Sequence, residues 1–349
     1  MPTLMGCTHS RFDPASRFRF LQYVPFLEAA GWKVSHRPNR PWRHWQSNAA
    51  ARPLRRLLQR SGGTVQRLSR WVDVREAAHF DVVFVNRDLL GTDLVFERML
   101  LARNPRIVFD FDDAVHLGSK RDHVEWMCRH AAWVTVGSPA LLDFAAQHSR
   151  RATLLPTVVN VARYRTAAAG APRRPRVGWL GSPLSIEQTL FPHLAMLGQA
   201  QQAVDFELVI VSKPRPSLPD GIVWRYVEWS PAVETAIADL FDIGIMPLVD
   251  DEFQRAKCGT KLLQYMAAGL PAVASPVGLN IALLRDSEAG LLAAAEPDWR
   301  DALRTLAADH ELRHRLGARG RDYCSRHYAL ERWAPVLDEI LHTVAAGRP

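Results

Sequence analysis

Short apolar runs alternate along this chain with longer stretches in which apolar residues recur every three or four positions. Phe80-Asp-Val-Val-Phe-Val85 reads as a buried strand. A run that is apolar on both sides of the pleat fits a sheet covered on both faces. Residues 94–102 have helical spacing, residues 106–111 form the next expected strand, a helix follows around 123–130, and residues 132–136 form another strand. That strand ends at Gly137-Ser138-Pro139, where Ser138 can cap a helix and Pro139 can occupy its first turn. Strands alternating with helices predict a parallel sheet.

The pattern breaks at residues 167–175, which lack apolar periodicity and carry Gly170, Pro172 and Pro175, so they read as a linker. A fresh series then begins, with strands expected at 176–180, 206–211, 242–246 and 271–274 and helices at 186–200, 232–240 and 260–268. Amphipathic helices at 299–309 and 330–345 close the chain. The expectation is an α/β protein of two Rossmann-like, doubly wound lobes facing each other across a cleft. Residues 1–170 make the first lobe, 171–329 the second, and 330–349 a helix that packs back on them. Ligands of such sheets sit beyond the carboxyl ends of the strands. With no internal repeat, no Gly-x-Gly-x-x-Gly and no Walker sequence, the pattern argues against a dehydrogenase or a nucleotide triphosphatase.

Composition changes this picture little. A chain of 349 residues exceeds one ordinary core and suits two domains, and 48% hydrophobic with 23% charged residues is usual for a globular protein. No apolar run approaches the ~18 residues needed to span a bilayer, and Met1 to Ser16 lacks the basic start and apolar centre of a signal peptide. The expected location is therefore the cytoplasm. Cys7, Cys128, Cys258 and Cys324 are far apart, with no Cys-x-x-Cys pair, and read as free thiols.

Charge adds more. The net charge is +8, and between Arg37 and Arg75 there are ten arginines and one acid, Asp73. Leu54, Leu57 and Leu58 fall at helical spacing among Arg52, Arg55, Arg56 and Arg60, a basic amphipathic helix suited to an anionic membrane surface. A solvated surface helix is the plainer reading. Nucleic acid is disfavoured, because no stacking-aromatic or zinc pattern accompanies the arginines.

One stretch is distinctive. Phe241-Asp-Ile-Gly-Ile-Met-Pro-Leu-Val-Asp-Asp251 is followed by Arg255-Ala-Lys-Cys-Gly-Thr-Lys-Leu-Leu-Gln-Tyr-Met-Ala-Ala-Gly-Leu-Pro-Ala-Val-Ala-Ser-Pro-Val-Gly-Leu-Asn280. It resembles the donor-binding region of the retaining glycosyltransferases of family 4 (glycosyl transferases group 1), which have the two-lobed GT-B fold. Val177-Gly-Trp-Leu-Gly-Ser-Pro183 resembles the loop after the first donor-lobe strand. Ala15-Ser-Arg-Phe-Arg19 resembles the first acceptor-lobe loop, and Phe109-Asp-Phe-Asp-Asp-Ala-Val-His116 its interlobe loop. Two features depart from the family's pattern. Its two glutamates, eight positions apart, are Ala256 and Gln264 by register, and its Arg and Lys after the first donor-lobe strand are replaced by Gly181-Ser-Pro-Leu-Ser185.

The resemblance implies transfer, with retention, of a hexose or N-acetylhexosamine from a UDP- or GDP-sugar to a saccharide or lipid-linked glycan. It implies no cofactor and no essential metal. Such transfer requires the leaving diphosphate to be stabilised by cations, backbone N–H groups or a helix start. Arg255, Lys257 and Lys261 lie just before and at the start of an expected helix, and Gly259 lets the backbone approach a phosphate. Lys257 and Lys261 therefore stand in for the missing pair. Gly181 and Ser182 can offer amides and a hydroxyl, Lys213 follows a strand end, and Gln264 can bond a ribose hydroxyl. In the first lobe Asp112 and Asp113, with Asp110 beside them, are candidate base or sugar-hydroxyl ligands, and His116 stands in for a loop histidine common in the family. Arg17, Arg19 and Arg87 are candidate phosphate contacts, with His9 a weaker one. Each has a plainer reading as a cap or surface charge. The rival class is a non-catalytic sugar-nucleotide-binding protein or partner subunit, which the missing glutamates favour.

Overall fold

The computed structural model describes residues 1–39, 52–91, 93–166 and 174–347, and for 52–62 the backbone only. The expected linker at 167–175 lies almost wholly outside the described residues, as do the leucines and arginines of 52–60. The chain divides into two compact units, one of Met1–Thr157 with Trp333–Pro349, the other Val158–Arg332.

The first unit holds a six-stranded parallel sheet in the order β2-β1-β3-β4-β5-β6, formed by β1 Thr3–Thr8, β2 Lys33–Pro38, β3 Val82–Asn86, β4 Ile107–Phe111, β5 Trp133–Val136 and β6 Ala152–Leu154. Every residue of β3 and β4 is buried, as the unbroken apolar runs predict. Phe20 stacks on Phe84 at 5.1 Å between ring centroids. The final helix, Leu330–Ala345, enters this unit at Trp333, and its Asp338 accepts a 2.7 Å bond from the Trp32 indole.

The second unit holds another parallel sheet, ordered β12-β11-β10-β7-β8-β9, with β7 Arg176–Leu180, β8 Glu207–Ser212, β9 Trp224–Glu228, β10 Ile243–Met246, β11 Ala272–Ala274 and β12 Gly290–Leu292. Its core gathers Trp179, Phe206, Ile243 and Val273 from the sheet with Leu197, Trp299 and Leu303 from helices. Both sheets reverse their winding once, between β1 and β3 and between β7 and β10, which is where doubly wound sheets open a crevice at their carboxyl edge.

Pattern reading finds the buried strands within a residue or two and omits β1, β2, β6, β9 and β12. Four of these five are the sheet edges β2, β6, β9 and β12, paired on one side and only partly buried, so their sequences carry no continuous apolar run. The helix expected at 186–200 is three pieces: a wide turn at Ile186–Leu190, a tight one at Phe191–His193, and the helix Leu194–Ala203. Pro192, which lacks an N–H, sits in the tight piece. An unexpected helix, His310–His327, starts at Asp309, whose carboxylate accepts the Leu312 N–H.

Candidate functional site

In the second unit the switch point lies between the loop after β7 and the segment after β10. Ser182 opens the turn after β7, its hydroxyl accepting the Ser185 N–H at 3.3 Å. Lys261 lies in the first turn of the helix Thr260–Ala267 and reaches that loop, its Nζ donating to Ser185 Oγ at 2.8 Å and sitting 5.1 Å from the Trp179 ring centroid. Gly181 is part of the same contact, since a Cβ there would stand 3.2 Å from Lys261 Cε and 2.5 Å from the Trp179 ring. Thus Gly181, Ser182 and Lys261, separated by about eighty positions, come together around Trp179 and Ser185. Sequence reading missed Ser185, although its place one turn after the cap Ser182 was a usable signal.

Two helices begin beside this point without a side-chain cap. Ser182, Ser230, Asp251 and Asp309 each cap a helix start in this unit through a side-chain oxygen, whereas Thr260–Ala267 and Leu279–Ser287 start from Gly259 and Gly278. Gly259 has φ +65°, and a Cβ there would come 2.5 Å from Leu283 in the second of these helices. Gly278 has φ +54° and presses on the backbone of Arg255, whose carbonyl oxygen would stand 2.3 Å from any Cβ. Neither start is closed by a side chain, the kind of helix end that can meet an anion; in the second, the Asn280 and Ile281 N–H groups donate to the Val277 and Gly278 carbonyls at 3.2 and 3.3 Å.

The remaining donor-side candidates are placed as follows. Arg255 is exposed and pairs with Asp250 at 2.6 Å. Lys257 lies 4.8 Å from the Phe253 ring centroid. Lys213 pairs with Glu228 at 2.7 Å, both at the surface. Gln264 and Ala256 are buried, and the Gln264 amide donates to Tyr164 Oη at 3.1 Å.

In the first unit, a network surrounds the carboxyl ends of β3 and β4. Asp110 is fully buried and accepts from Arg19 Nη2 at 2.6 Å and Nε at 3.2 Å, from Asn86 Nδ2 at 2.9 Å and from Thr135 Oγ1 at 2.7 Å. Asn86 and Thr135 are its register neighbours on β3 and β5. Arg19 spends a further N–H on the Leu155 carbonyl at 2.5 Å and has no exposed surface, so the sequence expectation that it meets a ligand phosphate is corrected. Burial disfavours its charge, and the Asp110 carboxylate more than offsets that, holding the guanidinium charged.

Arg87 takes the outward position one residue past β3, with φ +67°, rare for a residue with a Cβ. Its guanidinium bonds Asp112 Oδ1 at 2.8 and 3.0 Å and Asp113 Oδ2 at 2.5 Å, bringing three sequence-predicted residues into one partly exposed cluster. His116 is buried and stacks on Phe144 at 3.9 Å. Arg17 lies 5.2 Å from the Phe18 ring centroid. His9 Nε2 is 3.3 Å from Asp88, which also binds Lys120 at 2.5 Å. Burial raises the Asp88 carboxyl, but these two partners prevail and hold it below its ordinary range. Among the described residues no group of three or more His, Cys, Asp or Glu side chains is placed to hold a metal ion.

Behind Arg87 lies a buried pair that sequence reading did not find. Glu97 accepts the Leu89 N–H at 2.9 Å, and His123 Nε2 is 3.7 Å away. Burial pushes the Glu97 carboxyl up from 4.5 to about 7, against the Leu89 bond, and pushes the His123 imidazole down, so both favour the neutral form. A carboxyl with a raised folded pKa holds a proton that the unfolded chain releases. Its stabilising effect is complete below about pH 4.5 and is lost as pH rises through about 7. Glu97→Gln should therefore gain on wild type by about 2 kcal/mol between about pH 5 and about pH 8 in urea unfolding. Parallel stability curves for the two proteins would refute the assignment.

Residues 175–309 match the family described as Glycosyl transferases group 1. Among solved structures, a sucrose-phosphate synthase from Thermosynechococcus elongatus is similar at TM-score 0.73 and 17% identity, covering 99% of this chain and 100% of that one. HepE from Anabaena in complex with UDP and glucose is similar at TM-score 0.67 and 14% identity, covering 98% and 100%. A glycosyltransferase from Rickettsia africae is similar at TM-score 0.70 and 9% identity, covering 98% of each chain. No curated protein sequence matches at a significant level. These likenesses establish the GT-B fold, and the residues that match the glycosyl transferases group 1 family lie within the second unit.

Proposed function

We propose that this chain is a glycosyltransferase that moves a hexose or N-acetylhexosamine from a UDP- or GDP-sugar to a saccharide or lipid-linked glycan acceptor. The observation that carries the reading is the approach of Lys261 to the Gly181–Ser185 turn at a switch point, beside two glycine-started helices. A lysine ammonium and the positive end of a helix are the groups that stabilise a departing diphosphate. The family match over 175–309 covers all of them. Structures similar in fold are described with UDP, and with UDP and glucose, which favours a uridine donor as the first to try. In this reading Lys257 and Gln264 support the nucleotide half, Lys213 and Arg255 contribute surface charge, and the Arg87–Asp112–Asp113 cluster with His116 and Arg17 serves the acceptor side. Retention rests on the family resemblance alone, and no resident metal or cofactor belongs to the scheme.

A thermal-shift series with UDP, GDP, ADP and CMP tests the first half. A ligand at a hundred times its Kd stabilises by about 2.7 kcal/mol, so one nucleotide should raise the melting temperature clearly above the others. Incubation with the matching nucleotide sugars then decides between enzyme and binder. Release of free nucleotide supports transfer chemistry, whereas binding without turnover favours the non-catalytic alternative.

A further inference from the structure

The first sheet reverses its winding between β1 and β3, so the loops that leave these two strands border its crevice. Side chains from both loops meet there. His9, one residue past β1, has Nε2 3.3 Å from Oδ2 of Asp88, which lies two residues past β3. Lys120 Nζ reaches the same oxygen at 2.5 Å. Asp88 is 3% exposed, whereas His9 and Lys120 are 28 and 29% exposed. One buried acid thus holds two partly exposed groups at the switch point.

The backbone around this pair is fixed. Arg70, buried in the helix Arg52–Glu76, donates to the Thr8 carbonyl and to the Leu89 carbonyl, both at 3.2 Å. One guanidinium therefore clamps the residue before His9 to the residue after Asp88. Asp73 meets its charge at 2.9 Å. The Leu89 N–H goes to Glu97 at 2.9 Å and the Asp88 N–H to the Asn86 carbonyl at 3.0 Å. A buried cation is stable only where such partners converge. Here the convergence fixes two loops where a ligand of this sheet would sit.

The chemistry follows from the tautomer. A ring nitrogen 3.3 Å from a carboxylate carries a proton, so the Asp88 contact assigns hydrogen to His9 Nε2 and leaves a lone pair on Nδ1 of the neutral ring. A lone pair suits a hydroxyl donor and repels a phosphate oxygen. The expected phosphate contact at His9 is reversed on this ground, because its N–H and the Lys120 ammonium are both drawn to Asp88.

We propose that His9 binds the acceptor, its Nδ1 receiving a hydrogen bond from a saccharide hydroxyl, with Asp88 as the positioning residue that fixes the tautomer. This rests on the reading that the first unit serves the acceptor, and it adds a residue outside the Arg87–Asp112–Asp113 cluster.

The test is saturation-transfer difference NMR of the full chain with UDP present, using the methyl glycosides of glucose, galactose, mannose and N-acetylglucosamine as probes. At least one glycoside should bind wild type. His9→Phe keeps a ring and leaves Asp88 paired with Lys120, and it should weaken that binding about tenfold or more. Asp88→Ala should weaken it too, while long-range proton–nitrogen spectra show the His9 ring losing its fixed Nε2–H form. A merely structural role of Asp88 would not move that signature. Both variants should keep the wild-type rise in melting temperature with UDP. The proposal is overturned if no glycoside binds wild type, if His9→Phe binds as wild type does, or if Asp88→Ala leaves the ring spectrum unchanged. Glycoside binding that depends on His9 in a chain with no UDP response would uphold it and count against the donor reading.

Discussion

Lys261→Ala is expected to lower kcat/KM for the nucleotide-sugar donor about a hundredfold or more, the range seen when one preorganised electrostatic group is removed from a transfer site. The side chain is held for the task by the Ser185 hydroxyl at 2.8 Å and the Trp179 ring beneath it, so its ammonium has a defined position before any ligand arrives. Affinity for the free nucleoside diphosphate should fall in parallel, because the charge acts on the phosphates whether or not a sugar is attached. Lys261→Arg should recover part of the loss. Calorimetric titration with UDP and GDP, alongside steady-state kinetics, measures both effects. Unchanged diphosphate affinity with unchanged kcat/KM would remove Lys261 from the site, and the donor reading would lose its principal residue.

The largest loss of stability is expected at Asp110. Asp110→Asn leaves the Arg19 guanidinium fully buried with no carboxylate, and breaking a buried pair in this way costs about 3–5 kcal/mol. Urea unfolding of the full chain should show a correspondingly lower midpoint for the transition that reports the first unit. Replacing both partners, as in Arg19→Met/Asp110→Leu, removes the stranded charge and should restore much of the loss. A single substitution that costs under about 1 kcal/mol would mean that the pair is solvated, contrary to its burial. The comparison also separates support from chemistry. Asp110 shapes the floor on which Arg87, Asp112 and Asp113 stand, and those three are the groups presented outward.

Asp110, Asp112 and Asp113 show what a sequence can and cannot deliver. All three are aspartates within four positions of one another, and the spacing alone offers no way to assign one to the core. Asp110 lies within β4, all of whose residues are buried, with Asn86 and Thr135 as its register neighbours, while Asp112 and Asp113 lie past the strand end. Arg19 and Arg87 divide in the same manner. Lys261 was legible as a phosphate-binding candidate from its place at a helix start, but its pairing with Ser185 was not, because nothing local links positions 76 residues apart.

The sequence by itself determined the parallel α/β class, the two successive series and the position of the donor-type segment. These follow from apolar periodicity and from local turn chemistry, which act over a few residues and are written directly in the chain. Only the tertiary structure decided which charges are consumed in packing and which are displayed. On the helix Arg52–Glu76 it turned Arg70 and Asp73 inward beside Val74 and left Val65, Leu68 and Val72 exposed. It also left Gly259 and Gly278 as the starts of neighbouring helices. Such outcomes depend on contacts between segments distant in the chain. A buried cation is tolerated where carbonyls and a carboxylate from several loops converge on it, and no single stretch of sequence records that convergence.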